Sequence, residues 1–136
     1  MAFTLHPQLA ADTILVREED DLLLLMMNDQ QYPWFIVVPK WENITEWHQL
    51  PQEMQIRLHL YCVELGSIVT TAFASTKINT GALGNMVSQL HIHVVGRSQQ
   101  DAAWPKPVWG NTQPIPMEAN EIASRIDTLN RHLPGH

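Results

Sequence analysis

Two histidines one residue apart, His91 and His93, stand in the run Gln89-Leu90-His91-Ile92-His93-Val94-Val95-Gly96-Arg97. Polar and apolar residues alternate there with a period of two, the pattern of a half-buried β-strand. A strand through this stretch puts Gln89, His91 and His93 on one face and Leu90, Ile92 and Val94 on the other. Two imidazoles then stand side by side, with aliphatic side chains anchoring the strand beneath them. Imidazole changes charge near neutral pH and serves as nucleophile, acid, base or metal ligand. Spacing alone leaves three readings open. A metal site needs at least one more protein ligand, and the candidates, His48 and His59, sit in no motif that places them beside the pair. A nucleophilic site needs one ring nitrogen to attack while an acceptor holds the other. The third reading is two polar residues on the solvent face of an edge strand.

The residues just upstream weigh on this choice. Asn79-Thr80-Gly81-Ala82-Leu83-Gly84-Asn85-Met86-Val87-Ser88 supplies glycines, exposed amides and short polar side chains directly before the pair. Glycine lets backbone N–H groups approach an anion closely, so a phosphate held here lies within reach of His91. The competing reading is a Gly-containing hairpin turn.

These residues need a scaffold. The chain of 136 residues is expected to form a single domain, 1–136, with a full hydrophobic core. Thr13–Arg17, Leu22–Met27 and Trp34–Val38 read as strands separated by an acidic turn and a polar break, which predicts an antiparallel meander. From Pro51 to about Phe73 the period becomes helical, with Leu58, Tyr61, Cys62, Leu65, Ile68, Val69 and Ala72 on one stripe and His59 off it. Lys77–Asn79 reads as another strand, and Glu118–His132 as a last helix with Ile122, Ile126 and Leu129 inward. The fold class is α+β: a mainly antiparallel sheet, one long helix and a C-terminal helix.

Composition narrows the partners. Eight Lys and Arg against fourteen Asp and Glu give a net charge of −6, which argues against a nucleic-acid polymer. One small phosphorylated ligand needs no basic surface. The single cysteine, Cys62, allows no intrachain disulfide and reads as a buried structural thiol. Met1–Pro7 shows no signal-peptide pattern, and the longest apolar run, Leu22–Met27, is too short to span a membrane. A cytoplasmic protein is expected.

The run Gly84–Arg97 resembles the signature of the histidine triad (HIT) family, in which three histidines alternate with apolar residues after a Gly-containing phosphate loop. Phe35-Ile36-Val37-Val38-Pro39-Lys40 is similar to the family's strand ending in Ile-Pro-Lys, and Trp104-Pro105 resembles an aromatic-proline element of one branch. The resemblance implies a HIT-like fold and a nucleotide-binding hydrolase or transferase acting on nucleotide adducts or dinucleoside polyphosphates. His91 matches the nucleophile that attacks the α-phosphorus, and His93 the histidine that contacts the phosphate and assists the leaving group. Asn79, Gly84 and Asn85 match phosphate-loop positions. No cofactor is implied as required, a divalent metal being compatible; a homodimer is implied, with the long helix or a sheet edge at the contact. A non-catalytic nucleotide-binding or His-x-His metal-binding module on the same fold is the alternative.

The chain also departs from the family pattern. Gln89 occupies the first triad position, which leaves a third catalytic position that can hydrogen-bond but cannot titrate. Trp34 stands where the family has a histidine near that position, implying that a hydrogen-bonded pair has been replaced as a unit. Met26 falls where an acidic or amide residue binds ribose, leaving Asn28, two residues on, to substitute. Met86 replaces a small hydroxyl residue of the phosphate loop. Trp104 and Trp109 are expected at the pocket rim, and Trp41 and Trp47 in structural packing.

Overall fold

The computed structural model describes residues 3–135; Met1, Ala2 and His136 lie outside it. A short helix, α1 (Pro7–Asp12), leads into strands β1 (Thr13–Glu18), β2 (Leu22–Met27) and β3 (Trp34–Pro39). The long helix α2 (Gln52–Ala72) follows, then β4 (Lys77–Gly81), β5 (Ile92–Arg97) and α3 (Ala119–His132). The sheet order is β1-β2-β3-β5-β4, and every pairing is antiparallel. The α+β class and the three-strand meander are as expected.

Three local features differ from the sequence reading. Helix α1 is too short to leave a periodic signal; the chain turns into it at His6, whose Nδ1 accepts the Gln8 backbone N–H at 3.0 Å. Pro51 is the N-cap of α2, just ahead of its first turn. The histidine strand begins at Ile92 rather than Gln89, because its β4 partner ends at Gly81, opposite His93. Residues 89–91 lie outside the strand, and Leu90 N donates to Ile44 O at 2.9 Å. Side-chain alternation survives there without a regular ladder.

The two sheet faces meet different layers. On one, Leu22, Leu24, Phe35, Val37, Ile92 and Val94 pack against Leu58, Leu65 and Val69 of α2 and Leu129 of α3. Each such fully buried side chain is worth about 1.5–3 kcal/mol. Gly96 permits close approach here: a Cβ would stand 2.2 Å from Ser75 Oγ and 2.8 Å from both Pro33 and Val69. The opposite face gathers Leu23, Leu25, Trp34, Ile36, Val38 and Val95 under Leu9 of α1 and the loop residues Ala103 and Val108. β2 and β3 are therefore covered on both sides, which explains their unbroken apolar runs. Cys62 is buried, and Trp41 and Trp47 pack against the helix-side core, as expected. Among the described residues no helix is long and apolar enough to cross a membrane.

Candidate active site

His93 lies on the face away from the long helix: its Cα partners are Ile36 on β3 and Gly81 on β4. Its ring stands edge-on to that of His91, with 4.9 Å between centroids, and the two residues are 5% and 6% exposed. Their hydrogen bonds assign them opposite tautomers. His91 Nδ1 is 2.7 Å from the Gln89 carbonyl oxygen, which can only accept, so Nδ1 carries the hydrogen and Nε2 keeps its lone pair. Trp34 Nε1, which can only donate, donates to His93 Nδ1 at 3.0 Å, so the neutral His93 ring carries its hydrogen on Nε2. The pair is one free lone pair beside one N–H donor.

Both rings are held neutral. Burial pushes His93 down to about 3, and the charge of His91 acts in the same direction. Burial also lowers His91; its bond to the Gln89 carbonyl opposes that shift and the charge of His6 reinforces it. A consequence for stability follows. An unfolded imidazole binds a proton near pH 6.5, so between that pH and about 3 the unfolded chain holds the proton that folded His93 refuses. The stability is complete above about pH 6.5 and falls as the pH drops. Between pH 7 and 5 the loss from His93 should be about 2 kcal/mol. Urea unfolding at the two pH values measures it, and His93→Asn should flatten the dependence. Equal stabilities in the native chain would contradict the assignment.

Trp109 closes the other side of His93, with ring centroids 5.4 Å apart, and also meets Trp34 edge-on. Gly81 leaves the space: a Cβ there would already touch Trp109 at 3.8 Å. Trp109 Nε1 is buried with no acceptor among the described residues. Trp104, expected at the rim with it, packs instead over the Arg97 guanidinium at 5.7 Å.

The remaining candidates divide. Gly84 lines a narrow crevice with His91, Thr45, Glu46, Leu83 and Gln89, and its φ of +73° is one that glycine adopts freely. Asn85 and Met86 are exposed on the same loop. Asn79 is engaged elsewhere: its Oδ1 accepts from Arg97 at 2.8 Å. Asn28 lies just past the end of β2, and its Oδ1 accepts the Met117 N–H at 2.8 Å, tying it to the segment before α3. Met26 packs in the helix-side core, across the sheet from the histidines. Gln89 and Trp34 do not bond each other. Trp34 holds His93, whereas the Gln89 amide accepts from His6 N at 2.8 Å and donates to Thr4 O at 3.0 Å. His48 and His59 are exposed, and among the described residues no group of three His, Cys, Asp or Glu is placed to hold a metal ion.

A cavity of about 650 Å³ opens on the histidine face, lined by Phe3, Leu5, Ala10, Leu15, Leu23 and Leu25 together with the polar Thr13, Glu18, Asp20 and Lys40. Leu15, Leu25, Ile36 and His93 form one row across the sheet. Leu25 is thus two strand spacings, about 10 Å, from His93.

The family model for the HIT domain matches residues 8–100, a span that includes both histidines. The chain belongs to the histidine triad family. A histidine triad protein from Marinobacter aquaeolei VT8 is 42% identical over 98% of this chain and 97% of its own, with a TM-score of 0.94. Histidine triad proteins from Bradyrhizobium japonicum and Sinorhizobium meliloti 1021 superpose with the same TM-score of 0.94. The first is 35% identical over 97% of this chain and 98% of its own; the second is 34% identical over 96% and 97%. No curated protein matches the chain. Within this histidine triad chain, the partners of the two histidines are what sequence reasoning missed. Trp34 is 59 residues from His93 in sequence, and nothing local marks the β3–β5 pairing that joins them.

Proposed function

We propose that this chain is a nucleotide-binding hydrolase or transferase that cleaves nucleotide adducts or dinucleoside polyphosphates at the α-phosphate. The observation that carries this reading is the opposite tautomers of two neutral, buried imidazoles. His91 Nε2 attacks the α-phosphorus; its new bond to phosphorus forms as the bond to the leaving group breaks and its electron pair departs with that group. His93 Nε2–H donates to a phosphoryl oxygen as charge develops there. Water then attacks phosphorus, His91 Nε2 recovers its lone pair, and the water proton passes to solvent. Splitting the transfer in this way replaces one difficult displacement by two easier ones. A pure binding module has no use for an unshared nitrogen lone pair held beside a donor.

The supporting surroundings fit a nucleotide. The amides around Gly84 and Asn85 face the phosphate, Trp109 Nε1 offers a further donor, and the cavity at Leu15, Leu23 and Leu25 receives the nucleoside. Asn79 and Trp104 border the phosphate region beside Arg97, and Asn28, with its amide N–H group unclaimed by the Met117 bond, contributes to the nucleotide site from the end of β2. The steps need no cofactor; a divalent metal accompanying a polyphosphate is compatible with them. Rapid quenching with an adenylated substrate should show one nucleotidyl mass on His91 by peptide mass spectrometry. Turnover without that adduct would overturn the covalent route.

The active form is proposed to be a homodimer of single-domain chains in the reducing cytoplasm, where Cys62, pushed up to about 12 by burial, stays an inert thiol. Ile56, Leu60 and Val63 leave an apolar stripe exposed on α2. Leu60→Glu should convert a dimer to a monomer in light scattering; a native chain already monomeric at high concentration would refute the pairing.

A further inference from the structure

The cavity on the histidine face has walls from two sources. Leu15, Leu23 and Leu25 belong to β1 and β2, whereas Phe3 and Leu5 come from residues 3–6, which lie in no helix or strand. These apolar surfaces are not closed against one another: Leu15 is 52% exposed, and Phe3 and Leu5 are only partly buried. Two side chains from outside the cavity hold residues 3–6 in place. The Gln89 amide accepts the His6 N–H at 2.8 Å and donates to the Thr4 carbonyl at 3.0 Å. In an extended chain those two backbone groups face the same side, and a carboxamide presents its acceptor and donor together to match them. Glu42 accepts the Thr4 N–H at 2.6 Å. The bond from Leu90 N to Ile44 O brings the two holding residues to one rim. Among the described residues, the other backbone bond of this segment is the first turn of α1, from Ala10 N to His6 O.

We propose that residues 3–6 are a strap over the base of the bound nucleotide, with Phe3 and Leu5 as substrate-binding residues and Gln89 and Glu42 as the positioning residues that latch it. The proposal rests on the nucleotide reading above, which places the nucleoside in this cavity. A purine is flat and apolar on both faces, so it fills the space between the aliphatic side chains of the sheet and the Phe3 ring, covering the half-exposed Leu15. Gln89 and Glu42 do not line the cavity and touch the base only through the strap. Gln89 also ties the strap to the reacting end, because its main-chain oxygen holds His91 Nδ1. The residue at the first triad position is thereby a latch for the nucleoside end of the substrate rather than a proton carrier.

Two ligands that differ only by the base test this: AMP, and ribose 5-phosphate, which leaves the strap nothing to cover. NMR titration of the native chain, Gln89→Ala, Glu42→Ala and Phe3→Ala gives the affinities. Each variant should bind AMP about tenfold more weakly, the order expected for losing one or two net hydrogen bonds or part of an aromatic contact. Ribose 5-phosphate should bind all four proteins alike. Glu42→Gln, which keeps an oxygen to accept the Thr4 N–H, should retain native affinity for AMP. Unchanged AMP affinity in the alanine variants overturns the proposal. So does an equal loss for both ligands, which marks a general distortion of the site, or a Glu42→Gln loss as large as that of Glu42→Ala. Binding is measured without turnover, so a native chain that binds AMP but forms no nucleotidyl-histidine ends the covalent route while these affinities still decide the strap. A native chain that binds AMP no better than ribose 5-phosphate overturns the strap whatever its turnover.

Discussion

Replacing His91 with alanine should lower turnover of an adenylated substrate by 10⁴-fold or more, on the order expected for removing an attacking nucleophile. The affinity for a nucleoside monophosphate should change less than about fivefold, equivalent to about 1 kcal/mol. The asymmetry comes from the site's division of labour. The proposed nucleoside cavity is lined by Leu15, Leu23 and Leu25 from β1 and β2, and His91 lies outside it. The His93 donor is fixed by Trp34 whether or not His91 is present. Steady-state kinetics and isothermal titration measure the two quantities. Native-rate turnover by His91→Ala, or nucleotidyl mass on His93 in the native chain, would remove His91 from the nucleophile's role.

Arg97→Ala should be the most damaging single change to the fold. The Arg97 side chain is 2% exposed and that of Asp101 6%, with Nε to Oδ2 at 2.7 Å. Further bonds run to Asn79 Oδ1 and the Lys106 carbonyl, and the guanidinium lies over the Tyr32 and Trp104 rings. Burial pushes the Asp101 carboxyl up, but the Arg97 guanidinium and the Ser98 and Trp104 N–H groups outweigh it and hold the carboxyl below its usual range. Removing the guanidinium strands that charge, a loss of about 3–5 kcal/mol for a buried pair. That is a large part of the roughly 5–15 kcal/mol that stabilises an ordinary domain. Urea unfolding should show it, and Arg97→Met with Asp101→Asn should recover part of the loss by removing both charges. A loss below about 1 kcal/mol for Arg97→Ala would show that the network contributes little. The same network secures the loop that sets Trp109 against His93, so the alanine variant should also lose activity under conditions where it remains folded.

The legible parts of this molecule are those carried by short-range pattern. The period-two runs predict the meander, and the helical stripe from Leu58 to Val69 predicts α2. The His-x-His spacing after a glycine-bearing loop identifies the candidate chemistry. The contacts that pattern did not reveal share a different cause. Asn79 and Trp104 are the right types near the right place, yet Arg97, buried between loop and sheet, takes both. Asn28 has the right parity but lies beyond the strand end, where Met117 claims it. Gln89 and Trp34 serve unrelated partners, the N-terminal segment and His93. Side-chain type and spacing say what a group can bond to; they do not say which distant donor or acceptor reaches it first.

The sequence by itself determined the order of the five strands, the long helix and the C-terminal helix, and the pairing of His91 with His93 on one face. Tertiary structure decided the chemical state of those residues. Trp34 and the Gln89 carbonyl assign the two tautomers, burial keeps both rings neutral, and the Gln89 amide binds the N-terminal segment. The physical reason is range. Periodicity records which face of an element is buried, whereas a proton's location depends on hydrogen bonds and desolvation supplied by residues far away in the chain.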